Sequence, residues 1–310
     1  MHRTRTFIAA LFFTPLAALA QTATTPLPEE FQFRFQPPDG TRVRIEYRLL
    51  RTRTVEGQPS IKDEAETQTQ GVFKNLGEAF EYSPKTLSSS LRRNGTPLND
   101  PVMGLLSKLD IAYVISKGGE AVQIRGFGEA EKLLKSTMPA QMAAALAPMF
   151  TEASLASREK AEWNARYFDF ADGSFKIGDT VDVQAPQQLP NGETITYTIR
   201  TSFPNWVPCP SGNCVRVVQV YESDAAELAK LVGGVLSRIA DAASAPEIFP
   251  QFSKGAPRIT GSLVRVIDPK SMLIYSEQVK RTISMQLQIP GQSAVPMVLD
   301  ESRSYVYSYN

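Results

Sequence analysis

The chain has 310 residues, with 33 basic side chains against 32 acidic ones and a single histidine. So even a balance gives no electrostatic basis for nucleic acid or an anionic membrane as a partner. The lone histidine is His2, inside a segment read below as removed. Without it there is no Ser-His-Asp triad or Cys-His pair and no histidine-ligated haem. Two cysteines alone cannot complete a zinc set. No metal or cofactor is expected, and only carboxylate chemistry such as glycoside hydrolysis survives the composition.

The first twenty residues, MHRTRTFIAALFFTPLAALA, carry Arg3 and Arg5, then an apolar run from Phe7 to Leu19, then small residues before Ala20. This is the layout of a cleaved secretory signal, with cleavage between Ala20 and Gln21. The run is shorter than the roughly 20 residues that span a bilayer. No cysteine follows the cleavage point, so no lipid anchor is expected. Removal leaves 31 basic against 32 acidic residues in a chain of 290. Residues 21–37, beginning QTATTPLPEE, read as a flexible leader, and residues 38–310 as a single domain. No later segment is apolar enough to form a transmembrane helix.

Strand signals dominate from there. Thr41–Leu49 alternates, with Val43, Ile45, Tyr47 and Leu49 on one face and Arg42, Arg44, Glu46 and Arg48 on the other, as in a half-buried antiparallel strand. Glu64–Leu76 reads as its partner, with weaker strands at Phe80–Tyr82 and Thr86–Arg92. Ile111–Ser116 and Ala121–Arg125 flank Lys117-Gly-Gly-Glu120 as a hairpin. Helical patterns follow at Gly128–Ser136 and at Ala140–Ala161, the second broken by Pro148. Gly261–Ile267 and Met272–Val279 flank a turn with Pro269. Met297–Tyr309 reads as the last strand.

The clearest helix is Asp224–Ala242. Asp224 and Glu227 have capping-box spacing, and Leu228, Leu231, Val232, Val235, Leu236 and Ile239 form one apolar stripe. Such a stripe packs on a sheet or lines a cavity. Strands, a helical middle and more strands suit one α+β unit: a large, curved, mainly antiparallel sheet with a few helices on one face.

Both cysteines lie in VPCPSGNCV. Cys209 and Cys214 flank turn formers, and strand-like Thr194–Arg200 and Val215–Tyr221 lie to either side. In an exported chain this spacing predicts a disulfide clipping a hairpin loop, worth about 2 kcal/mol in the chain-entropy model. A redox thiol needs a lowered pKa, commonly in Cys-X-X-Cys at a helix start, and neither holds here. Two further segments look chemical and are read as turns. Arg125-Gly-Phe-Gly128 has Glu131 where a nucleotide loop needs a small residue. Asp169–Gly173 has Thr180 where a calcium loop needs glutamate.

The stretches FQPPDGTRVRIEYRL, IAYVISKGGEAVQIRGFGEAEKLL, FKIGDTVDV and GSLVRVIDPKSMLIYSEQ together resemble an uncharacterised family of exported bacterial β-rich proteins. The element order is also similar to periplasmic half-barrel lipid carriers, a resemblance that implies an apolar cavity between sheet and helices. Neither supplies catalytic residues.

The sequence therefore leads to an exported, periplasmic or secreted binding protein, non-enzymatic, holding a lipophilic ligand between sheet and helices. The alternative is a structural or assembly protein with an envelope partner. Intact mass of the exported protein is expected to begin at Gln21 and to fall two hydrogens below the reduced mass. A species retaining residues 1–20 with free thiols would refute both readings.

Overall fold

The structure is a computed structural model that describes residues 27–98, 108–167, 170–188, 194–229, 251–252, 257–288 and 294–310. The strands, in chain order, are β1 Glu30–Gln32, β2 Arg42–Val55, β3 Ile61–Asn75, β4 Ala79–Arg93, β5 Thr96–Pro97, β6 Ala112–Ser116, β7 Ala121–Arg125, β8 Ser174–Lys176, β9 Thr180–Gln188, β10 Thr194–Ser202, β11 Trp206–Cys209, β12 Gly212–Ser223, β13 Gln251–Phe252, β14 Arg258–Ile267, β15 Ile274–Gln288 and β16 Val295–Tyr309. Helices α1 Ala130–Thr137, α2 Ala140–Leu146 and α3 Glu152–Arg166 lie between β7 and β8.

One antiparallel sheet follows the path β7-β6-β4-β3-β2-β16-β15-β14-β12-β10-β9, with β5, β11 and β13 as side pieces, and β1 pairs with β8 apart from it. Among the described residues no pairing joins β7 to β9, so the described sheet is open. Residues from both halves of the path, Tyr113 and Ile124 on one side and Val215 and Val217 on the other, share one core with α1–α3. Strands lie roughly 4.8 Å apart, so the sheet must curve around the helices for this to happen. The expected α+β architecture with a curved sheet is what forms.

Several strands exceed their sequence signals. The two weak segments around residue 84 are one strand, β4, and β6 pairs only with Ala79–Tyr82 of it. Pro84 sits beyond that contact, where no described strand pairs on that side; open edges are where sheets tolerate proline. Gly71 and Gly261 are strand glycines with a packing reason. A Cβ at Gly71 would run into the Tyr82 ring and one at Gly261 into the Tyr221 ring.

The leader expected over residues 21–37 is corrected by its described part. Phe31, Phe33 and Phe35 are buried while Gln32, Arg34 and Gln36 face outward. The backbone is held by Phe33 N–H to Gly173 O at 3.1 Å and Arg34 N–H to Pro269 O at 2.9 Å. Phe33 packs on Phe31, Phe170, Phe175 and Phe203, and Phe35 on Phe73, Phe80, Trp163 and Tyr167. Burying each ring contributes roughly 1.5–3 kcal/mol, so the segment is a central part of the core.

Helix α3 starts at Thr151, whose side chain accepts from Ser154 N–H at 3.1 Å, an N-cap. It is tied to the β6–β7 hairpin by Trp163 Nε1–H to Gly119 O at 2.9 Å and Ala121 N–H to Asn164 Oδ1 at 2.9 Å. Phe33→Ala is expected to cost about 3–5 kcal/mol in a denaturant unfolding curve. A loss under about 1 kcal/mol, the size of a surface substitution, would show that residues 30–36 are peripheral.

Candidate functional site

Directly opposed residues of an antiparallel pair share a face, so the registers assemble side chains into rows running across the strands. One row on the helix-bearing face reads Arg93, Asp63, Arg51, Glu301, Arg281 from β4 to β15. It continues through Gly261 and Tyr221. The neighbouring row toward the helices holds Ala65, Leu49, Arg303, Val279 and Leu263. The row on the far side holds Arg53, Leu299, Ile283 and Ile259. A charged row therefore runs between two mainly apolar ones.

Glu301 is the centre of this row, its side chain 2% exposed. Arg51 donates from Nε at 3.0 Å and Nη2 at 2.7 Å to its Oε2. Arg281 Nη2 and Arg303 Nη2 lie 2.9 and 2.7 Å from its Oε1. Burial pushes the Glu301 carboxyl up, but the Arg51 hydrogen bond and the charges of Arg281, Arg303 and Arg51 outweigh it and hold the group below its usual 4.5. Arg281 Nε and Arg303 Nε are buried without a hydrogen-bond partner among the described residues. Asp63 does not compete for these arginines, because Arg93 Nε takes its Oδ1 at 2.8 Å.

Two rows toward the helices a second carboxylate, Glu277, is equally buried. Arg265 Nε hydrogen-bonds its Oε2, and Arg166 at the end of α3 reaches Oε1 at 3.4 Å. Burial raises the Glu277 carboxyl, and the two guanidiniums overcome that and leave it lowered. Arg265 Nη1 also donates to the Arg166 carbonyl at 3.5 Å. Arg166 lies over the Tyr305 ring, 5.5 Å from its centroid, and Tyr305 packs on Tyr47 at 4.8 Å. Burial, with Tyr305 beside it, pushes the Tyr47 hydroxyl up to about 12.

Beyond the charged row a second apolar cluster forms from Ile195, Leu228 and Ile259, with Tyr197, Tyr221 and Ile283 against it. Leu228 is the one member of the apolar stripe among the described residues, and it packs onto the sheet. Leu231, Val232, Val235, Leu236 and Ile239 lie outside the described residues, as do Ala20 and Gln21. Asp224 caps residues 225–229, accepting from Ala226 N–H at 2.9 Å and Glu227 N–H at 2.8 Å. The reciprocal half of the capping box is replaced: Glu227 accepts instead from Thr196 N–H at 2.5 Å. That bond ties the start of the segment to β10.

Cys209 and Cys214 form a disulfide with Cα atoms 5.8 Å apart. It closes the turn between β11 and β12, where Cys209 opposes Gly212. The hairpin expected between Thr194–Arg200 and Val215–Tyr221 exists as β10 against β12, with β11 inserted in its loop. Gly126–Gly128 is a turn into α1, as read, with Phe127 buried. Among the described residues, no three His, Cys, Asp or Glu side chains are placed to hold a metal ion, and no helix is long and apolar enough to cross a membrane.

No family model matches the chain, and no curated protein matches it. The resemblance to an exported β-rich family therefore rests on the sequence layout alone. Among solved structures the chain is similar to one described as lipid–protein interactions in lipovitellin, with a TM-score of 0.45 and 9% identity. That alignment covers 87% of this chain and 25% of the other, so the chain spans about a quarter of that protein. It is also aligned to the translocator domain of the autotransporter NalP from Neisseria meningitidis, with a TM-score of 0.17, 10% identity and coverage of 87% and 89%. At this distance the function has to be argued from the residues.

Glu301→Gln is expected to lower stability at pH 7 by about 2–3 kcal/mol. That is less than the roughly 3–5 for breaking a fully buried pair, because the three arginines keep about a third of their side chains in water. A group with a depressed folded-state pKa adds stability above its unfolded value, and that stability is lost as pH falls through the folded value. The difference between parent and variant in urea midpoints should close below about pH 4. A difference that stays constant from pH 7 to 3 would mean that the Glu301 charge plays no part.

Proposed function

We propose that this is an exported, non-catalytic protein that holds a lipophilic ligand on the helix-bearing face of its open sheet. The observation that carries the reading is that the apolar face continues past the helices. Where β2, β15 and β16 run beyond α1–α3, Leu49, Val279, Ile283 and Leu299 on that face are half-buried; on the opposite face Arg48, Lys280, Asp300 and Ser302 are exposed, and Thr52, Thr282, Ser284 and Val298 are half-buried. Apolar side chains kept on one face of a strand end favour an apolar cover on that face.

The ligand belongs on this stretch rather than beneath the described helices. The space under α3 is filled by aromatic rings, with Trp163 4.5 Å from Tyr167 and 5.1 Å from Tyr113 between centroids. The stretch between the first core and the Leu228 cluster is where apolar side chains remain half-open. Export is supported by the N-terminal layout and by the disulfide, which suits an oxidising compartment, so the periplasm or the exterior is the proposed location. Carboxylate catalysis finds no support at the two buried carboxylates. Glu277 and Glu301 are each neutralised by arginines, which removes the basicity or acidity that a catalytic pair needs.

A second reading, an assembly protein with an envelope partner, has one observation of its own. No described strand pairs with the outer edge of β9, where Val181 and Val183 are 39% and 46% exposed; open edges of this kind accept an added strand.

Native mass spectrometry of the protein purified from periplasm without detergent is expected to show an adduct that partitions into organic solvent. A clean apo mass that takes up no alkyl-chain compound on titration would overturn the ligand reading in favour of the partner.

A further inference from the structure

Resting on the reading that this face holds a lipophilic ligand, we propose that the ligand is an anionic acyl lipid whose head group is received by Arg51, Arg281 and Arg303. The three guanidiniums carry fifteen N–H donors, and the carboxylate they share offers about four lone-pair positions. Arg51 uses both Nε and Nη2 on Glu301 Oε2. Arg281 and Arg303 each bring only Nη2 to Oε1, and their buried Nε groups have no partner among the described residues. A buried polar group without a partner is costly, so these two side chains are under-satisfied as the protein stands.

The charge count agrees. Around Glu301, three arginines face one carboxylate, a surplus of two positive charges in a chain whose total is almost balanced. The nearest further acid on this face, Asp63, is taken by Arg93. Glu277, the other buried acid on these central strands, already has two arginines of its own. Arg51, Arg281 and Arg303 are 37%, 30% and 33% exposed, so each side chain keeps a solvent-facing part that an incoming head group can meet, although the two Nε atoms are themselves buried. Glu301 is then the template that holds three guanidinium planes together when no ligand is bound. Without it, mutual repulsion would splay them.

The rows beside the charges select an acyl chain over a bare anion. Leu299 and Ile283 flank Arg281 and Arg51 on one side, and Met285 and Met297, directly opposed, extend that surface along β15 and β16. Methionine adapts to irregular apolar shapes. A head at the arginines and a chain over these four residues fits the amphipathic order of the strands.

The test is calorimetric titration of the exported protein, below micelle concentrations, with three probes: dodecyl phosphate, dodecyltrimethylammonium and inorganic phosphate. Dodecyl phosphate is expected to bind at least about tenfold tighter than either of the others. Arg281→Gln and Arg303→Gln are each expected to weaken it by about tenfold to a hundredfold, the factor for a lost charge-assisted hydrogen bond. Arg200→Gln, whose partner Asp182 is on the exposed β9–β10 pair, should change nothing. The comparison of head groups on the parent protein needs no variant to fold. Equal binding of the two dodecyl compounds would overturn the anionic head while leaving the lipophilic reading intact. Inorganic phosphate binding as tightly as dodecyl phosphate would overturn the role of the chain. Binding by none of the three would remove both this proposal and the reading beneath it.

Discussion

Directly opposed residues of an antiparallel pair lie on one face, so each register decides which residues of the next strand join the core. From β3 to β15 the odd-numbered residues all face the helices, because each strand enters the ladder in the register that its neighbour sets. A one-residue slip of β2 against its neighbours would turn Val43, Tyr47 and Leu49 outward and bring Arg44, Glu46 and Arg48 into the core. The fold, the apolar core and the charged row all depend on this shared parity. The rows are its direct product: residues hundreds of positions apart in the chain become nearest neighbours.

Charge has a defined place within that order. The two most buried carboxylates, Glu277 and Glu301, sit on adjacent strands, on the face that the core also occupies. Burying a carboxylate is costly unless its partners are close and well aligned, and here each carboxylate has at least two guanidiniums. The Glu277 set reaches from β15 through β14 to the end of α3, so it also fixes where that helix ends against the sheet. The Glu301 set joins β2, β16 and β15 at the middle of the sheet and leaves surplus donors on the open side. The first ties α3 to the sheet; the second joins three neighbouring strands, and both sets hold a buried guanidinium nitrogen without a partner among the described residues.

Much of the architecture was legible because the physics behind it is local. Alternation in Thr41–Leu49, the Lys117–Glu120 turn, the Pro148 break and the Asp224 cap all depend on residues within a few positions of one another, and each formed. The FQFRFQ segment was equally regular, yet it was read with the QTATTPLPEE tract as part of a leader. Its three phenylalanines at period two were the available signal of a buried strand. Glu227 shows the opposite case. Its spacing from Asp224 was right for a capping box, but Thr196 on β10, brought near only by folding, supplied a competing donor.

By itself the sequence determined the strand-rich class, the disulfide and the placing of its one histidine at His2, because these follow from residue type, period and short spacing. Only the tertiary structure decided which arginines matter. Arg51, Arg281 and Arg303 look like any solvated cations in their own strands, and Glu301 stands 250 positions from Arg51. Their grouping comes from the strand order β2-β16-β15 and from the register of two pairings. Those are set by the summed burial of entire strand faces, a quantity that no short stretch of the chain contains.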